Sequence, residues 1–389
     1  KFPCPLCRRE NIPADVPRWS HPNHGDTIAC EDCIRQADGT FGSTILGIAG
    51  FGYSAAGGGW ASDDTYPRRV ADVNGDGYAD IVGFGSGGAF VSLSQGDGTF
   101  ASPVLAIASY GASDAAGGWT SNDRFVRTIA DVDGDGAADV VAGLTSDEVK
   151  VFLGDGAGGF DSGTLIADSS GHGAKAMAAG CLDADADVDL IVLRDDSVVR
   201  LYENDGSGGF THQADLTGAG ERAVDVGDVN ADGMLDFVVV AGAGTNDPMF
   251  VFVNEDDAWT FTKYEVATFF FGAGVAVADI DGDGYADAAV AHGGNGASWW
   301  HNPLPGGALT DGTKQSISTD NYLWVAVGDV TGTGRAAIVE ARQNSVVVHN
   351  ITSLPEAEAF TLNTLSGTLR GLGLADLDGD GDLNIVYST

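Results

Sequence analysis

Short apolar runs, each bounded by clusters of glycine, aspartate or serine, recur along the whole chain. Residues 81–84 (Ile-Val-Gly-Phe), 89–93 (Ala-Phe-Val-Ser-Leu) and 103–107 (Pro-Val-Leu-Ala-Ile) form one series, and 237–240 (Phe-Val-Val-Val) belongs to another. Runs this short between turn residues predict β-strands, and the period of an amphipathic helix is absent. A further stretch precedes each turn, Arg69-Val70-Ala71 in the first case. The predicted unit is therefore four short antiparallel strands, the size of one propeller blade.

Between the first and second strands a nine-residue pattern returns, Asp-x-Asp/Asn-Gly-Asp-Gly-x-x-Asp. It reads DVNGDGYAD from Asp72, DVDGDGAAD from Asp131, DVNADGMLD from Asp228, DIDGDGYAD from Asp279 and DLDGDGDLN from Asp376. Weaker copies are CLDADADVD from Cys181 and DVTGTGRAA from Asp329. The copies begin at 72, 131, 181, 228, 279, 329 and 376, so they are spaced by 59, 50, 47, 51, 50 and 47 residues. Seven copies near one period predict an all-β, seven-bladed β-propeller.

The loop composition suits a hard cation. Side-chain oxygens at positions 1, 3, 5 and 9, with the backbone carbonyl of position 7, would surround one calcium ion, and glycine permits the tight curl. The expected ligands are Asp72, Asn74, Asp76, Tyr78 and Asp80, then Asp131, Asp133, Asp135, Ala137 and Asp139. The later sets are Asp228, Asn230, Asp232, Met234 and Asp236, Asp279, Asp281, Asp283, Tyr285 and Asp287, and Asp376, Asp378, Asp380, Asp382 and Asn384. About five calcium sites are expected. An EF-hand would need glutamate at position 12 and helical flanks; that position is Gly83, Ala142, Val239, Val290 and Tyr387, between strands. The loops beginning at Cys181 and Asp329 lack ligands and are expected to be weak or empty.

These loops with their flanking strands resemble the FG-GAP or VCBS repeats of integrin-type propellers across residues 40–389. The first two repeats also carry FGYSAAGGGW and YGASDAAGGW ahead of their loops, which is similar to the mushroom N-acetylglucosamine-binding lectins of the Psathyrella type. That resemblance implies a glycan ligand, with Trp60 and Trp119 as candidate contacts. An indole face packs well on the C–H face of a sugar, and packing between blades is the alternative role. Because successive strands alternate direction, the tryptophan and aspartate loops should lie on opposite faces.

The last repeat stops after its second strand. Residues 33–41 and 44–48 match the third and fourth strands of the first repeat, so the amino end is expected to complete the last blade and remove an open sheet edge. Residues 1–33 would form a small appendage and 34–389 the propeller. Cys4, Cys7, Cys30 and Cys33 make two Cys-x-x-Cys pairs, the spacing of one tetrahedral zinc site, with His21 or His24 as possible substitutes and paired disulfides as the alternative. The segment CPLCR…HGDTIACEDCI resembles a truncated RING finger without its final cysteine pair. Cys181 is expected to stand apart.

Lysine and arginine total 19 against 56 acidic residues, a formal charge of −37. Such a surface repels phosphate backbones and anionic lipid, and no run of 18 apolar residues occurs, so neither nucleic acid binding nor membrane insertion is expected. No apolar segment follows Lys1, so no signal peptide is expected. No nucleophile, metalloprotease or phosphate-loop motif occurs, and the chain is expected to be a binding module rather than an enzyme. A glycan ligand, a partner protein in an assembly and a polysaccharide-active enzyme are the readings in that order. Calcium-type loops and acidity favour an extracellular setting; a zinc knuckle would favour an intracellular one.

Overall fold

A computed structural model describes residues 28–30 and 47–388, apart from 53–57, 61, 123, 144–147, 167–170, 219, 221, 243–246, 257, 270–271, 293–295, 319–321, 343–344, 354–355, 365–370 and 380. Strand β1 is Ile28–Cys30. Blade 1 follows as β2 (Arg68–Ala71), β3 (Asp80–Phe84), β4 (Ala89–Ser92) and β5 (Val104–Ile107). Blade 2 is β6 (Arg127–Ala130), β7 (Asp139–Gly143), β8 (Val149–Phe152) and β9 (Thr164–Ile166). Blade 3 is β10 (Ala174–Gly180), β11 (Asp189–Arg194), β12 (Val198–Asn204) and β13 (Phe210–Thr217). Blade 4 is β14 (Ala223–Gly227), β15 (Asp236–Val240), β16 (Asp247–Asn254) and β17 (Phe261–Phe269). Blade 5 is β18 (Gly272–Ala278), β19 (Asp287–His292), β20 (Gly296–His301) and β21 (Thr313–Ser318). Blade 6 is β22 (Tyr322–Gly328), β23 (Ala337–Arg342), β24 (Ser345–Ser353) and β25 (Glu356–Thr364). Strands β26 (Gly371–Ala375) and β27 (Asn384–Ser388) end the chain.

Among the described residues the protein is an all-β propeller with six complete four-stranded blades, not the expected seven. Each of the six is a four-stranded antiparallel meander. The remaining sheet has three described strands in the order β1-β27-β26, with Ile28 opposite Ser388 and Cys30 opposite Val386. The expected match of residues 33–41 to the third strand is therefore corrected, because 28–30 occupies that place beside β27. Residues 31–46 lie outside the described residues. The error has a physical source: an edge strand is selected by backbone pairing, which a match of side-chain types reads poorly.

Each blade is buried by its neighbours. The first strands β2, β6, β10, β14, β18, β22 and β26 adjoin in turn, and β26 adjoins β2. Second strands are covered on both faces, so β15 (Asp-Phe-Val-Val-Val) is wholly buried and shows no alternation. Outer strands such as β13 are largely wet and polar. Apolar clusters accordingly form between blades: Ile191, Leu193 and Leu201 of blade 3 pack with Phe237, Val239 and Phe252 of blade 4. Burying these faces supplies the main stabilisation.

A hydrogen-bonded ladder reinforces that packing. Asn204 and Asn254 end the third strands of blades 3 and 4, Asn302 directly follows that of blade 5, and all three are buried. Each side-chain amide donates to a carbonyl of the preceding blade: Asn204 to Val132 at 2.6 Å, Asn254 to Leu182 at 2.6 Å and Asn302 to Val229 at 2.7 Å. Backbone links run the same way, from Ala138 N–H to the Asp72 carbonyl (2.7 Å) and from Ala79 N–H to the Asp376 carbonyl (2.9 Å). The last link joins blade 1 to the C-terminal sheet. Replacing Asn254 by alanine leaves a buried carbonyl unsatisfied across a blade boundary and is expected to cost about 2 kcal/mol, read as a lower denaturant midpoint at unchanged slope.

Candidate functional site

In five of the loops the ninth position is an aspartate and the first residue of a second strand. Asp80, Asp139, Asp189, Asp236 and Asp287 are at most 1% exposed. One oxygen accepts from the N–H of loop position 2: Val73 at 3.0 Å, Val132 at 2.7 Å, Leu182 at 2.7 Å, Val229 at 2.8 Å and Ile280 at 3.1 Å. The other accepts from the backbone near the end of the third strand: Ser94, Gly154, Asn204, Asn254 and Asn302, at 2.6–3.0 Å. Each carboxylate thus pins a loop to its blade. In the last loop Asn384 accepts from Leu377 N–H at 2.6 Å in the same way.

The first-position aspartate organises the turn itself. Asp72 accepts from Gly75 and Gly77 N–H at 2.7 Å each, and Asp279 and Asp376 accept from the corresponding glycines at 2.7–3.0 Å. Those glycines lie at positive φ, for example 72° and 87° at Gly75 and Gly77. In the fourth loop the matching residue is Ala231, held at φ 59°, where a side chain is strained.

Carboxylates converge in these loops. In the second, ligand atoms of Asp131, Asp133 and Asp139 lie within 4.8 Å of one another, and Asp279, Asp281 and Asp287 do so in the fifth. Burial pushes Asp80, Asp139, Asp189 and Asp236 up to about 7 and Asp287 up to about 8, against the opposing pull of the backbone donors. Neighbouring carboxylates, such as Asp133 and Asp131 beside Asp139, push the same way. A divalent cation would reverse that pressure by favouring the ionised form. The nine-residue pattern itself offers only oxygen donors, with Asn74, Asn230 and the carbonyls of Tyr78, Ala137, Met234, Tyr285 and Asp382 available in sequence around it. Asp380 lies outside the described residues.

The third loop departs from the others. Cys181 replaces the first aspartate, is buried and is disulfide-bonded, which corrects the expectation that it stands apart. Asp183 and Asp185 nevertheless meet Glu203 of β12. In the sixth loop Asp329 still accepts from Thr331, Thr333 and Gly334, although Thr333 and Ala337 replace carboxylates. Cys4, Cys7 and Cys33 lie outside the described residues. Cys30 is placed in β1 without a described side chain.

At the other end of the first strands, Trp60 and Trp119 are 8% and 4% exposed. Trp119 stacks on Phe125 (4.6 Å, 17°) and meets the Tyr110 ring edge-on at 4.5 Å. The Arg127 guanidinium lies 4.9 Å from the Trp119 centroid and is pushed down to about 9 by burial. Trp60 packs against Phe51, Tyr66 and Phe90. Both indoles are packed inside the structure, so neither is an open stacking platform.

What the tryptophan elements build is a seam between blades 1 and 2. Residues 111–119 fold over a 3₁₀ turn at Asp114–Ala116, with Trp119 N–H donating to the Gly111 carbonyl at 2.9 Å. Ala112 and Ser113 N–H donate to the Gly85 and Ser86 carbonyls of blade 1 at 3.1 and 3.0 Å. The approach requires glycine at 111, where a β-carbon would sit 2.4 Å from Gly88 N. Ser86, Gly87, Asp114 and Ala115 are exposed along the seam.

The architecture is that of a β-propeller, and the family of FG-GAP-like repeats matches residues 72–142, 182–239 and 228–290. No curated protein matches the chain. Among solved structures it is similar to a lectin of Agrocybe aegerita, described for specific recognition of non-reducing terminal N-acetylglucosamine. The TM-score is 0.66 at 22% identity, over 90% of this chain and 91% of that one. BBS1N, solved in complex with ARL6DN, aligns at TM-score 0.49 and 12% identity over 83% and 91%. The asparagines of the inter-blade ladder escaped the sequence reading, although Tyr-Glu-Asn204, Phe-Val-Asn254 and Trp-His-Asn302 recur in register. Replacing Ala231 by glycine removes left-handed strain and is expected to stabilise the fold by about 1 kcal/mol, measured as a raised midpoint of thermal or denaturant unfolding.

Proposed function

We propose that the chain is a glycan-binding module whose loops hold calcium, and that it acts by recognition rather than catalysis. The observation that carries the glycan reading is the seam between blades 1 and 2. Loops tied by backbone hydrogen bonds there expose Asp114 and Ser86, whose hydroxyl lies 3.3 Å from the Tyr66 hydroxyl. Sugar hydroxyls require such pre-positioned polar groups, because a mobile loop would lose affinity to ordering entropy. The fold shared with the N-acetylglucosamine lectin supports the same reading. The roles of Trp60 and Trp119 are then to shape the seam.

A second reading, contact with a partner protein, is favoured by Val104, Leu105 and Leu165. These are 66%, 46% and 45% exposed on the outer strands of blades 1 and 2. Large apolar side chains at a wet rim suit a protein interface.

Two measurements test the proposal. Glycans ending in N-acetylglucosamine should bind the intact protein on an array, and Asp114→Ala should weaken that binding about tenfold while leaving the melting curve in place. Absence of binding to any glycan would remove the lectin reading and leave the protein contact. For the loops, excess EDTA should lower the melting temperature and added calcium should restore it, because removing the ions leaves buried carboxylates repelling one another. An unchanged curve would exclude calcium as a stabilising element.

A further inference from the structure

The loops differ in one place that their nine-residue pattern does not include. In blades 1 to 5 the residue opposite loop position 10 lies on the third strand: Ser92, Phe152, Tyr202, Phe252 and Trp300. The next residue is Leu93, Leu153, Glu203, Val253 and His301. In blades 1, 2 and 4 this side chain is aliphatic and offers no donor. In blade 5 it is an imidazole, and His301 Nε2 lies 3.1 Å from Asp281 Oδ2. Ligand atoms of Asp281, Asp283 and His301 all fall within 4.8 Å of one another, and those of Asp279, Asp281 and Asp287 converge equally closely. The His301 and Asp281 side chains are 22% and 16% exposed, so both are partly withdrawn from water while still reachable.

We infer that the fifth loop is a mixed nitrogen–oxygen site that takes a divalent transition-metal ion such as Zn²⁺ or Co²⁺, with His301 as a ligand beside Asp279, Asp281 and Asp283. This rests on the reading of the loops as cation sites. Calcium takes oxygen donors and gains little from imidazole, whereas imidazole suits zinc, cobalt and nickel. Blades 1, 2 and 4 serve as internal controls, since they share the loop and lack the nitrogen. The Arg335 side chain lies against Gly282, where a β-carbon would come within 2.6 Å of its Nε. A nearby positive charge disfavours every divalent ion, so the choice among ions falls to the donor set. The imidazole also meets Trp299 edge-on at 5.6 Å, which restricts its ring.

The test is a Co²⁺ titration of the full chain in millimolar calcium, followed by visible absorption. The wild-type chain is expected to show a d–d band from one nitrogen–oxygen site, separable from any thiolate site by the absence of sulfur-to-cobalt charge transfer. His301→Leu, which copies blades 1 and 2, should weaken that site about tenfold or more. His301→Gln keeps a polar side chain beside Asp281 without the imidazole donor, and should show the same loss of affinity if the leucine variant does not fold. Equal cobalt affinity in wild type and variant, or no such band, would overturn the inference and leave His301 as an ion-pair partner of Asp281. Calcium content measured on the same samples reports separately on the parent reading: retained calcium with a His301-independent cobalt signal sinks this inference alone.

Discussion

A propeller blade cannot stand by itself, because its second strand is apolar on both faces and each face must meet another blade. What holds such a strand in register at its start is the buried carboxylate at loop position 9. It accepts one N–H from the loop and one at or just past the end of the third strand, so a single residue joins three segments of the blade. Two charge-assisted bonds of this kind, removed from water, are strong enough to set local geometry. The cost is a carboxylate in a site that disfavours its charge, as the upward shift of Asp139 shows.

That cost connects stability to recognition. The aspartates at positions 1, 3 and 9 are arranged first by backbone donors, and the arrangement also brings their oxygens together. A cation in such a loop relieves repulsion that the fold itself creates. The carbonyl of position 1 meanwhile accepts from the next blade, as Asp72 does from Ala138, so each loop is also part of a blade boundary. A change in one loop is therefore felt by its neighbour.

At the opposite end the logic is packing. Trp119 fills the space between Phe125, Tyr110 and the Arg127 guanidinium, and its backbone anchors a glycine-rich loop against blade 1. Blade 1 meets a buried arginine differently: Asp63 lies 3.6 Å from Arg68, where blade 2 has Asn122 at the matching position. Related sequence elements thus give one polar seam over two distinct buried supports.

The sequence by itself determined the repeating four-stranded unit, the loop positions and the carboxylates within them, because turn chemistry and apolar runs act over a few residues. It also marked Gly-Gly-Trp as an element of the first two repeats. Only the tertiary structure decided the count of complete blades and the pairing of 28–30 with β27, since edge pairing depends on backbone partners distant in the chain. It likewise decided that the indoles are buried, that Asn204, Asn254 and Asn302 bridge blades, and that His301 meets the fifth loop. Each of those outcomes depends on which strand lies opposite which loop, a relation between segments that local pattern does not contain.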